Sequence, residues 1–67
     1  MSVAKIIELV GTSTESFEHA IQTALETASQ SIRHIHGVDV RNMTCDVEDG
    51  KITAYKVDLK VAFRYEE

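Results

Sequence analysis

The 67 residues contain no proline, no tryptophan and one cysteine, Cys45. A single cysteine excludes a disulfide within the chain and fits a reducing compartment. No apolar run approaches the roughly 18 residues of a membrane-spanning helix. The opening residues 1–11, MSVAKIIELVG, lack the long apolar core and cleavage site of a secretory leader. The expectation is a cytoplasmic protein with no membrane partner. There is also no basic block: Lys and Arg number 7 against 11 Asp and Glu, for a net charge of −4. Phosphate backbones are bound through clustered Lys and Arg, so nucleic acid is not an expected partner.

The composition is that of a folded chain, with 43% hydrophobic residues set in clear periodic patterns. Residues 1–67 form one domain. A domain this short buries only about 60% of the surface its unfolded chain exposes, and such domains need a disulfide, a metal or self-association to persist. Residues 3–10, VAKIIELV, are apolar on both sides of a pleat and predict a buried or interface strand. Gly11 is read as ending that strand, and Thr12 with Glu15 as a capping box opening a helix.

The helix carries the plainest signal. Phe17, Ala20, Ile21, Ala24, Leu25, Ala28, Ile32 and Ile35 fall on one stripe at helical spacing. This predicts about 22 residues and a length near 33 Å, with Gly37 in the position just past the helix end. From Val38 the period becomes two. Val38 and Val40 lie on one parity, whereas Met43, Cys45 and Val47 lie on the other, which predicts a bulge near Asn42. Asp49-Gly50 predicts a tight hairpin turn. In the last strand Tyr55, Val57, Leu59, Val61, Phe63 and Tyr65 share one face. The fold class is therefore α+β in the order β-α-β-β: one helix on a three-stranded antiparallel sheet whose free face and edges need partners.

No residue pattern defines a reaction. His34 and His36, with His19 upstream, would point some 200° apart on a helix, and no second cluster completes a zinc site. They read as histidines at the negative end of a helix dipole. DVEDG, residues 46–50, lacks the alternating acids and closing glutamate of a calcium loop, and reads as a solvated hairpin tip. Cys45, mid-strand, reads as a small buried hydrophobe. Gly11-Thr12-Ser13 has one glycine, too few for a phosphate-binding loop. Tyr55, Phe63 and Tyr65 share their face with Val and Leu, so they read as core and not as a base-stacking surface.

Three segments carry a resemblance that spans essentially the whole chain. They are ELVGTS at 8–13, SIRHI at 31–35 and VDLKVAFRYE at 57–66. Together with the length and the β-α-β-β order, they make the chain similar to the dodecins. That resemblance implies a hollow homododecamer in which the sheet wraps one long helix. It also implies a non-enzymatic protein that stores and sequesters a small molecule, typically a flavin: FMN, riboflavin or FAD. In the family the flavin ring stacks on tryptophan near a two-fold axis, and a glutamine on the last strand holds its polar edge. Many bacterial members add an arginine on the second strand, and some bind coenzyme A through basic residues.

Aligned without gaps from SIRHI, the tryptophan position holds Gly37, the glutamine position Lys56 and the second-strand arginine position Thr44. All three depart from the pattern. Arg33 and Arg64 match the basic positions implied for coenzyme A or another anion. The resemblance thus implies a flavin site altered at Gly37, Thr44 and Lys56. The alternative is a structural shell, or a binder of ions or other ligands such as calcium or coenzyme A. No metal ligands and no catalytic residues are assigned.

Overall fold

The computed structural model describes residues 3–65, in the order β1 (Ala4–Ser13), α1 (Phe17–Ser29), β2 (Ile35–Glu48) and β3 (Lys51–Arg64). The three strands form one antiparallel sheet in the order β1-β3-β2. β3 is central because its alternation leaves Val57, Leu59 and Val61 on one face, each with no exposed surface. Ala20, Ala24 and Ala28 are buried on the helix. These small side chains let α1 lie close on the sheet, and Ile7, Leu9, Phe17, Ile21, Leu25, Ile35 and Val38 close the core around Val57, Leu59 and Val61.

Gly11 does not end β1. It is buried within the strand opposite Val57, and a Cβ there would collide with the backbone carbonyl of Ala20. The glycine is a contact surface for the helix, whose approach sets the depth of the core. Thr12 is accordingly a strand residue, paired with Lys56, and caps nothing. The cap is Ser16, whose hydroxyl accepts the His19 backbone N–H at 3.0 Å, with Glu18 in the first turn where the dipole favours an anion.

The helix is 13 residues long, against the 22 predicted. It closes with Ile32 N–H donating to the Ala28 carbonyl at 2.9 Å. His34 then takes a left-handed φ of 64°, and Ile35 enters β2 opposite Phe63. The stripe misled because Ile32 and Ile35 keep helical spacing for a different reason: Ile35 packs on the core from the sheet. Gly37 is therefore a β2 residue, not a helix end, and His34 and His36 are not helix-terminal. The predicted bulge is present, since the β2–β3 register shifts between Val40 and Asn42. Asp49 and Gly50 have φ of 51° and 76°, both left-handed as a two-residue hairpin turn requires.

Thirteen helical residues span about 20 Å, whereas 14-residue strands span about 46 Å. The helix packs on β1 and β3 and leaves much of the hairpin bare. Val40, Met43, Val47 and Ile52 are exposed, and Cys45, opposite Tyr55, is half-buried and not buried as predicted. The subunit measures 52 × 20 × 13 Å.

Candidate functional site

The face of the sheet turned away from α1 carries the even-numbered residues of β3 and their cross-strand partners. It reads as a series of rows. Near the end of β3, Ile6, Ala62 and Gly37 stand side by side, followed by Glu8, Lys60 and Asp39. Then come Val10, Asp58 and Asn42, and finally Thr12, Lys56 and Thr44.

The sequence-derived residues fall on this face in two groups. Thr44 and Lys56 are direct cross-strand partners. The Lys56 ammonium lies 3.2 Å from Asp46 Oδ2, both side chains about half exposed, so Lys56 points off the outer face and is held by a carboxylate. Gly37 pairs with Ala62, six residues further along β3. At about 3.3 Å per residue the two groups are about 20 Å apart in one subunit. Gly37 has no backbone need to be glycine: a Cβ there would meet only the Ala62 Cβ, at an ordinary 3.9 Å. Gly37, Ala62 and Ile6 thus make a flat apolar floor.

Arg33 and Arg64 are brought together. Both line an open depression of about 300 Å³ with Ser31, His34, Phe63 and Tyr65. An Arg64 guanidinium nitrogen lies 3.4 Å from His34 Nδ1, and the Arg64 backbone N–H donates to the His34 carbonyl at 3.1 Å. Phe63 and Tyr65 share the parity of the buried Val57, Leu59 and Val61, so this depression sits at the end of β3 toward the helix side and not on the outer face beside Gly37 and Ala62.

Two features were not legible in the sequence. Glu8 and Asp58 lie in adjacent rows on the outer face. A hydrogen bond from the Glu8 carboxyl to Asp58, and then the Asp58 charge, hold the Glu8 pKa above its usual 4.5, although Lys60 and Arg41 pull the other way. The Asp58 Oδ1 is buried with no hydrogen-bond partner among the described residues. Only the strand register reveals this pair, since the two residues are fifty apart in the chain. Near the helix start, Ser13 Oγ lies 2.7 Å from His19 Nδ1, and Glu15 Oε2 lies 3.2 Å from the same nitrogen. A serine activated through histidine needs its acid on the opposite ring nitrogen. Here both partners compete for one nitrogen, and the Ser13 oxygen is already accepting the Glu15 N–H at 2.9 Å. The group tightens the β1–α1 turn.

His19, His34 and His36 do not converge, and no three His, Cys, Asp or Glu side chains gather as a metal cage among the described residues. Residues 46–50 form the end of β2 and its turn, with Asp46 engaged by Lys56. No helix among the described residues is long and apolar enough to cross a membrane.

A three-stranded sheet with one short helix, a bare outer face and an uncovered hairpin defines a class: a small binding subunit built for self-assembly. Comparison with known proteins gives the family. The profile described as Dodecin matches residues 3–66, and the chain belongs to the dodecin family. It is 42% identical over 65 residues to a dodecin of Thermus thermophilus, covering 97% of this chain and 94% of that one. It is 38% identical over 65 residues to a protein named calcium dodecin from Mycobacterium tuberculosis, covering 96% and 90%. A crystal structure of the Thermus thermophilus tt0972 protein superposes with a TM-score of 0.95 at 40% identity, covering 100% of this chain and 98% of that one. The β-α-β-β fold is thus the family's fold, and dodecameric assembly is what membership implies. Dodecins are small-molecule binding proteins.

Proposed function

We propose that this chain forms a closed cytoplasmic homododecamer that sequesters a planar small molecule without transforming it, a flavin (FMN, riboflavin or FAD) being the first candidate. The observation that carries this reading is the separation of the two candidate groups. Gly37 and the Thr44–Lys56 pair lie on one sheet face but about 20 Å apart. A ligand touching both requires two copies packed outer face to outer face in opposite directions. A two-fold site of that kind encloses a planar ring between the two sheets.

The three departures set how tightly it binds. Gly37 removes an aromatic platform worth about 1–3 kcal/mol for a base-like ring, and a two-fold site loses two of them. Lys56 donates but cannot accept, so it meets only the acceptors on a ring edge. Restoring both groups with Gly37→Trp and Lys56→Gln is expected to tighten flavin binding by at least about tenfold, the equivalent of 1.4 kcal/mol. The check is quenching of riboflavin fluorescence, with mass by light scattering in the same sample. An assembled double variant that binds no better than the parent places the site elsewhere.

One observation favours a second reading. The depression lined by Arg33 and Arg64 offers two fixed positive charges, suited to the phosphates of coenzyme A or another anion. Calcium, suggested by the name of the Mycobacterium tuberculosis relative, would need ligands beyond the described residues of one subunit, among which no three acid, histidine or cysteine side chains gather. Equilibrium dialysis against coenzyme A and against calcium separates these from a shell that holds no ligand.

A further inference from the structure

The middle of the outer face is charged, and its charges are unevenly matched within one subunit. Arg41 donates to Asp39 at 3.2 Å, and the Lys56 ammonium lies 3.2 Å from Asp46. Two groups are left over. Lys60, in the row of Glu8 and Asp39, closes no ion pair among the described residues. Asp58, in the next row between Val10 and Asn42, has a buried Oδ1 with no hydrogen-bond partner among the described residues. Both residues are half-buried on β3. A buried carboxylate oxygen left unpaired is destabilising, so a single subunit does not complete this patch.

A second copy completes it. Two sheets packed outer face to outer face about a two-fold axis have two simple arrangements. With the axis along the strands, β1 faces β2 of the partner and the rows stay level. Lys60 then meets Lys60, Asp58 meets Asp58, and Glu8 meets Asp39. Every contact in those rows sets like charges together, which is unfavourable. With the axis across the strands and level with Leu59, each strand faces its own copy running the other way. The row of Lys60 then faces the partner's row of Asp58, with Glu8 over Val10 and Asp39 over Asn42. No like charges meet, and one opposite pair forms. Moving this axis one residue along β3 sets Lys60 on Lys60 or Asp58 on Asp58. We propose that Lys60 of each copy pairs with Asp58 of the partner subunit, and that these two ion pairs select the register of the face-to-face contact. This rests on the reading that two outer faces pack together, and it deepens it: the same register brings Gly37 over Thr44 of the partner subunit and Ala62 over Lys56 of the partner subunit. An isologous contact makes each pair twice. Stacked sheets lie about 10 Å apart, a gap that the flexible four-carbon stem of lysine helps to cross. The pairs sit beside the axis, and the two ligand positions lie about 10 Å from it on either side. The clamp therefore joins the sheets without filling either position.

The test is a charge exchange between chains. Asp58→Lys and Lys60→Asp are each expected to fall below the parent's mass by light scattering. An equimolar mixture of the two is expected to regain that mass and, by native mass spectrometry, to hold the two chains one to one, because each two-fold contact then joins one chain of each kind. Either variant keeping the parent's mass alone overturns the inference. So does a mixture of folded variants that does not recover it, since the charges would then act within their own subunit. Should a reversed chain fail to fold, the neutral variants Asp58→Asn and Lys60→Gln decide. Each is expected to loosen the assembly on dilution by about fivefold or more, and the two together no further than either alone. Additive losses overturn the pairing. The ligand position is read separately, by riboflavin quenching with Gly37→Trp and Lys56→Gln. Tightened binding there without rescue on mixing overturns the ion pairs alone, whereas rescue without tightened binding keeps the contact and removes the ring from it.

Discussion

At the residue scale, two positions carry consequences their residue types do not announce. Gly11 is in contact with the helix backbone through the absence of its side chain. Even one methyl group must push α1 off the sheet, and overpacking a close contact costs typically 1–3 kcal/mol. Gly11→Ala is expected to lose at least about 2 kcal/mol or to fail to fold, read as the thermal midpoint, whereas Gly37→Ala, with only ordinary contact at Ala62, should leave the midpoint nearly unchanged. Glu8 is the second. Its folded pKa is raised by the hydrogen bond to Asp58 and by the Asp58 charge. A carboxyl raised in the folded state adds stability that is fully present below its unfolded pKa and is lost as pH rises through the folded value. At neutral pH the pair therefore repels. Glu8→Gln should raise the midpoint at pH 7 and leave it little changed near pH 4. A lower midpoint at pH 7 would mean that the pairing of Glu8 with Lys60 outweighs the repulsion from Asp58.

At the element scale, the helix start separates local pattern from geometry. Thr12 with Glu15 fits a capping box in sequence, but β1 continues through Thr12 to Ser13, and Ser16 makes the cap. Ser16→Ala is expected to cost about 1 kcal/mol, and Thr12→Ala, on an exposed strand position, less than about 0.5 kcal/mol. Denaturant midpoints of the two variants decide between the assignments, and a larger loss for Thr12→Ala would reverse them. The strands were legible because alternation, the bulge near Asn42 and the Asp49-Gly50 turn are written in neighbouring residues. The helix end was not, because Ile35 satisfies helical spacing while its partner, Phe63, lies far along the chain. The outer-face groupings were hidden for the same reason. The direct pairing of Thr44 with Lys56 and the approach of Glu8 to Asp58 are products of register, and register is a long-range choice.

At the scale of the whole molecule, the subunit is not a finished object. Its radius of gyration is 13.8 Å, against about 11 Å for a compact chain of this length. The excess length is the hairpin that α1 does not reach. Val40 and Met43 lie opposite Leu59 and Val57, on the helix side of the sheet, yet they are 42% and 48% exposed. Residues on the core face that no part of the subunit covers are contact surface for further copies. This locates the residues on which assembly can be tested without destroying the fold. A charge at Val61, which has no exposed surface, would unfold the subunit and say nothing about assembly. Val40→Glu with Met43→Glu spares the buried cluster of Ala20, Ala24, Val57, Leu59 and Val61 and places two carboxylates where neighbouring copies must meet. Desolvating such charges without partners costs several kcal/mol at each contact, and a closed shell repeats that contact in every copy. Light scattering should find the double variant as monomers or small oligomers, with a lowered thermal midpoint because the bare hairpin loses its cover. A full-mass dodecamer carrying both glutamates would show that the hairpin's core face is turned to solvent in the shell, and that the contacts holding the assembly are made by β1 and the outer face instead.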